Sequence, residues 1–93
     1  MKLALTDGVA FSAEVLFRDV EGEGVLLDLR SGTYFGLDRV GCRIWQLLQA
    51  SPELRAVHEQ MLRDYDVSPE QLEADLLRLV DELAEAGLVT VKG

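Results

Sequence analysis

The residues able to do covalent or metal chemistry are few: one cysteine, Cys42, and one histidine, His58, in a chain of 93. A thiol becomes a useful nucleophile when a base stands beside it or its pKa is lowered. Cys42 falls on the first predicted helix and His58 on the second, and nothing in their spacing brings them together. One thiol and one imidazole make no zinc ligand set and no internal disulfide. Carboxylates are plentiful, and Glu70, Glu73, Asp75, Asp81, Glu82 and Glu85 all fall within one predicted helix. Acid–base catalysis would need two of them in a cleft with a raised pKa; their spread reads instead as a solvated face. No glycine-rich phosphate loop occurs. What remains is non-covalent recognition, so the expectation is a binding protein without catalytic residues, cofactor or metal.

Charge narrows the partner. Seventeen acidic residues against nine basic give a formal charge of −8, which repels phosphate backbones and opposes nucleic-acid binding. A peptide or protein partner is favoured. No apolar run reaches the eighteen residues of a membrane span, and the N-terminal Leu3-Ala4-Leu5 is broken by Thr6-Asp7-Gly8 before a signal-peptide core could form. The expected location is cytoplasmic. At 10.3 kDa and 48% hydrophobic, residues 1–93 read as a single domain with one core.

The elements that must position any binding residues follow from periodicity. Residues 1–14 form an extended arm or a weak first strand. Residues 15–37 read as a β-meander: Val15 to Val20 and Val25 to Leu29 flank the turn material Glu21-Gly22-Glu23-Gly24, and Arg30-Ser31-Gly32 turns the chain into a third strand, Thr33-Tyr34-Phe35-Gly36-Leu37. The period changes to 3.6 at Asp38, a candidate N-cap, and residues 38–87 read as three helices. The first carries Val40, Ile44, Leu47 and Leu48 on one stripe, with Trp45 beside it as a core residue. Ser51-Pro52 should cap and start the second, whose apolar face is Leu54, Val57, Met61, Leu62 and Tyr65; His58 reads there as a partly exposed side chain. Ser68 and Gln71 have capping-box spacing, with Pro69 at the first position of the third helix and Gly87 as its C′ residue. Residues 88–91 read as a short terminal strand, with Lys92-Gly93 as a frayed end.

Strands followed by helices define an α+β domain, here winged-helix-like, with a three-stranded antiparallel sheet and three helices. Two sheet edges stay open, and an open edge is either protected or used, strand addition by an extended peptide or pairing with a second copy being two uses. The third helix carries Leu72, Leu76, Leu77, Leu79, Val80 and Leu83 over a wide arc. Such an arc suits either a central buried helix or one that touches the core on one side and a ligand groove on the other.

The run from Val25-Leu26-Leu27-Asp28-Leu29-Arg30-Ser31-Gly32 through Thr33-Tyr34-Phe35-Gly36-Leu37-Asp38-Arg39-Val40-Gly41-Cys42-Arg43-Ile44-Trp45-Gln46-Leu47-Leu48 closely resembles the PqqD family, whose members are known as RiPP recognition elements. Glu14-Val15-Leu16-Phe17-Arg18, Tyr65-Asp66-Val67-Ser68 and the helix end Ala86-Gly87-Leu88-Val89 look like the same family, so the resemblance spans roughly residues 14 to 90. Cys42 stands where the family pattern has a small residue, and it fits there sterically. The resemblance implies a module without catalytic activity that binds the leader of a ribosomally made precursor peptide. The leader would dock antiparallel on the third strand as an added strand, beside Thr33, Tyr34, Phe35, Gly36 and Leu37 and facing Leu72, Asp75, Leu76 and Leu79. The implied second partner is a modifying enzyme: a radical S-adenosylmethionine enzyme, as in pyrroloquinoline quinone formation, or a leader peptidase, as in lasso-peptide assembly.

Individual residues keep two readings. Asp75 and Arg78, at i, i+3, can pair with each other or meet charges on the leader. Gly36 permits close backbone approach or marks a bulge before the helix. Proline in place of Phe35 should block strand addition if the Phe35 N–H belongs to the free edge, and unfold the sheet if it does not. The alternative function is a winged-helix DNA-binding regulator, with the third helix in the major groove. That helix has six acidic residues and one arginine, Arg78, the wrong balance for phosphate contacts.

Overall fold

The β-branched and aromatic segments pair as two separate sheets in the computed structural model, which describes residues 3–92. Strand β1 (Gly8–Phe11) pairs antiparallel with β5 (Val89–Lys92), while β2 (Val15–Val20), β3 (Glu23–Asp28) and β4 (Thr33–Leu37) form the antiparallel meander in that order. Helices α1 (Arg39–Ala50), α2 (Leu54–Asp64) and α3 (Pro69–Glu85) lie between β4 and β5 in the chain. Part of the N-terminal arm is therefore a true strand, held by the terminal strand expected at 88–91. Of the expected frayed end, Lys92 is instead paired with Gly8 at the end of β5, and Gly93 lies outside the described residues.

Turn chemistry sets the meander's register. The β2–β3 connection is only Glu21-Gly22, both at positive φ (57° and 86°), with Val20 opposite Glu23. This is the two-residue turn whose twist matches paired strands; Glu23 and Gly24 belong to β3, not to the turn. Asp19 Oδ1 accepts the Gly22 N–H at 3.0 Å. At the other turn Gly32 takes φ 73°, and the Asp28 carboxylate accepts from the Arg30 N–H (3.0 Å) and the Ser31 hydroxyl (3.1 Å). Arg30 then reaches across to donate to the Gly87 carbonyl at 3.1 Å, tying this loop to the end of α3.

Helix ends follow their caps at three of the places expected. Asp38 accepts the Gly41 N–H at 2.7 Å and Ser68 the Gln71 N–H at 3.1 Å. Only half of the capping box forms, because the Gln71 side chain donates to Asp75 instead of reaching back. Beyond α3, Gly87 at φ 80° lets Leu88 N–H reach the Leu83 carbonyl (2.9 Å) and Gly87 N–H that of Ala84 (3.1 Å). This is a Schellman ending with its apolar pair, Leu83 and Leu88, buried. The Ser51-Pro52 expectation fails: Ser51 is the C-cap of α1, Glu53 is the N-cap of α2, and Glu53 has no side-chain cap bond. Backbone pairing with β1 wins, since the Pro52 carbonyl accepts from Val9 N–H at 3.0 Å and the Leu54 N–H donates to Asp7.

The core lies among the three helices and the inner faces of both sheets: Leu26, Leu48, Leu54, Met61, Leu76, Val80 and Leu83 are fully buried. Each large aliphatic side chain there contributes about 1.5–3 kcal/mol through burial. Trp45 is core, as expected, and joins the sheets: its ring meets Phe11 of β1 edge-on (centroids 5.1 Å, 77°) and lies 6.4 Å from Phe17 of β2. Among the described residues no helix is long and apolar enough to cross a membrane.

Candidate peptide-binding site

The two residues with covalent potential are turned inward. Cys42 is buried in α1; that burial, with the Asp19 carboxylate nearby, pushes its thiol up in pKa, away from the reactive thiolate. His58 is buried as well, contrary to the expectation of partial exposure. Its Nε2 donates to the Pro69 carbonyl at 2.9 Å, so the ring pins α2 to the first turn of α3.

The feature shaped for a ligand is a cleft of about 320 Å³ between β4, the start of α1 and one face of α3. Phe35, Gly36 and Leu37 form the sheet side and Asp75 and Leu79 the α3 side, five residues of the expected site brought together. Thr33 and Tyr34 continue the same strand but stand exposed, Tyr34 at 70%. Leu72 and Leu76 do not line the cleft. They are 5% and 0% exposed on the stripe with Val80 and Leu83, which faces the core. The wide apolar arc of α3 thus divides into a core stripe and a cleft stripe.

Arg78, read from sequence as a residue that could meet charges on the leader, lines the cleft with Asp75 and Leu79, and so does Glu82, which sequence reasoning left on the solvated face; the i, i+3, i+4, i+7 spacing of the four, which defines one helix face, was the available signal. Arg78 pairs with Asp75 at 3.4 Å and Gln71 donates to Asp75 at 3.1 Å. Both partners of the ion pair are more than a third exposed, so it is worth only a few tenths of a kcal/mol and is free to re-pair. Val40, expected on the core stripe of α1, is instead 41% exposed and lines the cleft mouth.

The second component is the backbone of β4. Leu29 N–H bonds to the Glu14 carbonyl, and the two-residue turn joins Val20 to Glu23, so the odd-numbered residues of β3 hydrogen-bond to β2. Antiparallel ladders alternate sides residue by residue, so Gly24, Leu26 and Asp28 bond to their β4 partners Leu37, Phe35 and Thr33. β4 is an edge strand, and the N–H and C=O groups of Tyr34 and Gly36 point away from the sheet. The Phe35 N–H belongs to the internal ladder, so proline there tests folding and not the free edge. The register through Gly36 is continuous, without a bulge, and a Cβ at Gly36 would meet nothing within 4 Å. The edge beside the cleft can therefore accept an extended peptide, with main-chain bonds at Tyr34 and Gly36 and alternate side chains entering the cleft.

The sequence model of the family described as Coenzyme PQQ synthesis protein D (PqqD) matches residues 23–89. Two solved structures are similar over most of the chain. One, described as TbiB1 in complex with the TbiA(beta) leader peptide, is 37% identical with a TM-score of 0.80, covering 85% of this chain and 92% of that one. The other, described as lasso peptide synthetase B1 complexed with the leader peptide, is 28% identical with a TM-score of 0.80, covering 89% and 98%. No curated protein matches in sequence.

Proposed function

This chain belongs to the PqqD family, and from that premise we propose that it captures the leader of a ribosomally made precursor peptide by strand addition at the β4 edge and presents it to a modifying enzyme. The observation that carries the reading is the pairing of an open hydrogen-bonding edge, Tyr34 and Gly36, with a cleft of mixed polarity whose α3 wall alternates charge through Asp75, Arg78 and Glu82. Edge groups hold any extended peptide; the cleft selects among them. Thr33, Tyr34, Phe35, Gly36 and Leu37 form the strand side of the proposed site, and Asp75 and Leu79 contact the leader from α3. Leu72 and Leu76 support that face from beneath.

The module itself carries out no chemistry, consistent with a buried, high-pKa thiol and a histidine committed to a backbone carbonyl. Similarity to two proteins solved with leader peptides, one of them described as lasso peptide synthetase B1, favours a lasso-type precursor over a pyrroloquinoline quinone precursor, and with it a leader peptidase over a radical S-adenosylmethionine enzyme. Its place of action is the cytoplasm, where such precursors are made. Family membership decides against the DNA-binding alternative, and the single cation of α3 agrees.

An amide-resolved NMR titration of the labelled protein with a synthetic leader from the neighbouring precursor gene tests the proposal. The expected result is shifts confined to residues 33–37 and the cleft face of α3, saturating at micromolar peptide. Shifts spread over α2, or none at millimolar peptide, would reject it.

A further inference from the structure

Among the described residues nothing packs over the outer face of the β2-β3-β4 sheet. Leu16 stands opposite Leu27 and Leu27 opposite Tyr34, so one cross-strand row spans the sheet; Arg18, Val25 and Gly36 form the next. Leu16, Val20 and Tyr34 are 52%, 56% and 70% exposed, and neither they nor Val25 and Leu27 pack against the core. An antiparallel sheet with one wet face ordinarily alternates apolar inward with polar outward. Here the wet face is apolar, with Arg18 the charge at its centre, and a contiguous exposed apolar patch marks an interaction site. At one end lies an acidic tip, Glu21 and Glu23; neither forms an ion pair among the described residues.

We propose that this outer face is where the modifying enzyme docks, through an apolar patch of its own with a basic rim that meets the acidic tip. The inference rests on leader capture at β4. A strand added there would extend the sheet and place alternate side chains on the outer face, in line with Tyr34 and the bare position Gly36. An enzyme on this face would thus touch carrier and leader together and distinguish the loaded carrier from the empty one. A second copy of this chain is the poorer occupant, because each copy carries −8 and would bring its own acidic tip to the interface.

The test uses the full chain, the synthetic leader from the neighbouring precursor gene and the purified enzyme encoded beside it. Leu16→Glu lies two strands, about 10 Å, from the β4 edge. It should leave leader affinity within twofold and weaken enzyme binding to the loaded carrier at least tenfold, with circular dichroism unchanged. Glu21→Lys, at a solvent-facing turn, should weaken enzyme binding severalfold and flatten its salt dependence. Enzyme affinity unchanged in both variants overturns the inference, as does a dimer that Leu16→Glu dissociates while enzyme binding persists. Failure of the leader to bind the wild type overturns the leader reading by itself. The docking face is then judged on enzyme binding without leader, where loss in Leu16→Glu supports it and no loss rejects it.

Discussion

Replacing Tyr34 with proline separates the proposed recognition edge from the fold that carries it. The register of β3 against β2 and β4 turns the Tyr34 N–H outward and leaves the Phe35 N–H bonded to Leu26. Proline at an edge-strand position with its N–H side toward solvent is tolerated, and Thr33 before it is already extended, as a residue preceding proline must be. Free-protein stability should change by less than about 1 kcal/mol, a few degrees in Tm for a domain of this size. Binding should suffer more. The variant loses one main-chain bond to the leader, about 1 kcal/mol, and leaves a leader carbonyl facing the ring unpaired, for a total of about 1.5–3 kcal/mol. That corresponds to a roughly 10- to 150-fold weaker Kd by calorimetry. Tyr34→Ala keeps the N–H and isolates the side-chain contribution. Phe35→Pro is the opposite control: it removes the ladder bond to the fully buried Leu26 and leaves a buried backbone group unpaired, which should cost about 1–3 kcal/mol of stability, more than Tyr34→Pro. A folded Tyr34→Pro protein that binds the leader within twofold of wild type would refute the strand-addition geometry.

Charge reversal of Asp75 to Lys breaks the contacts with Gln71 and Arg78 and recharges the cleft wall; leader affinity should change more than twofold, about 0.4 kcal/mol, and a smaller change in an intact fold removes Asp75 from the site. Leu76→Ala should destabilise by about 2–5 kcal/mol in denaturant melts, whereas Leu79→Ala should keep most stability and lose leader affinity, because one lies in the core and the other lines the cleft. The Arg30 backbone N–H holds the Asp28 carboxyl below its usual pKa of 3.8, burial opposing and the Ser31 hydroxyl and Arg30 charge assisting. A depressed folded-state pKa gives stability that is present above the unfolded value and lost as pH falls through the folded one. The stability gap between wild type and Asp28→Asn, followed by thermal melts, should therefore be widest near neutrality and close on acidification below about pH 3.9; a pH-independent gap would mean that the carboxylate charge is not what Asp28 supplies.

Local signals located the elements wherever the stabilising contacts are themselves local. Asp38, Ser68 and Gly87 act within one turn of their own positions, so the α1 start and both ends of α3 were legible. Ser51-Pro52 misled because its carbonyl is claimed by Val9, more than forty residues away, and no local rule can see a partner at that distance. The β1–β5 pairing is hidden for the same reason: a weak first strand and a short terminal strand were both legible, but not that four residues at one end of the chain pair with four at the other.

The binding site divides along the same line. The strand Thr33 to Leu37 was legible as an edge, but which of its amides are free depends on a register set two strands away, at the Glu21-Gly22 turn and the Glu14–Leu29 bond. Leu72 and Leu79 look alike in sequence and lie two turns apart, yet one is buried in the core and the other lines the cleft, a difference set by what α3 packs against at each turn and not by any local signal. The Arg30–Gly87 bond joins the β3–β4 loop to the α3 terminus and so ties the strand wall of the cleft to its helix wall. Loosening it with Arg30→Ala should therefore weaken leader binding through misplacement of the walls, even though Arg30 does not line the cleft, and a leader affinity that stays within twofold would show that the core alone keeps α3 in place.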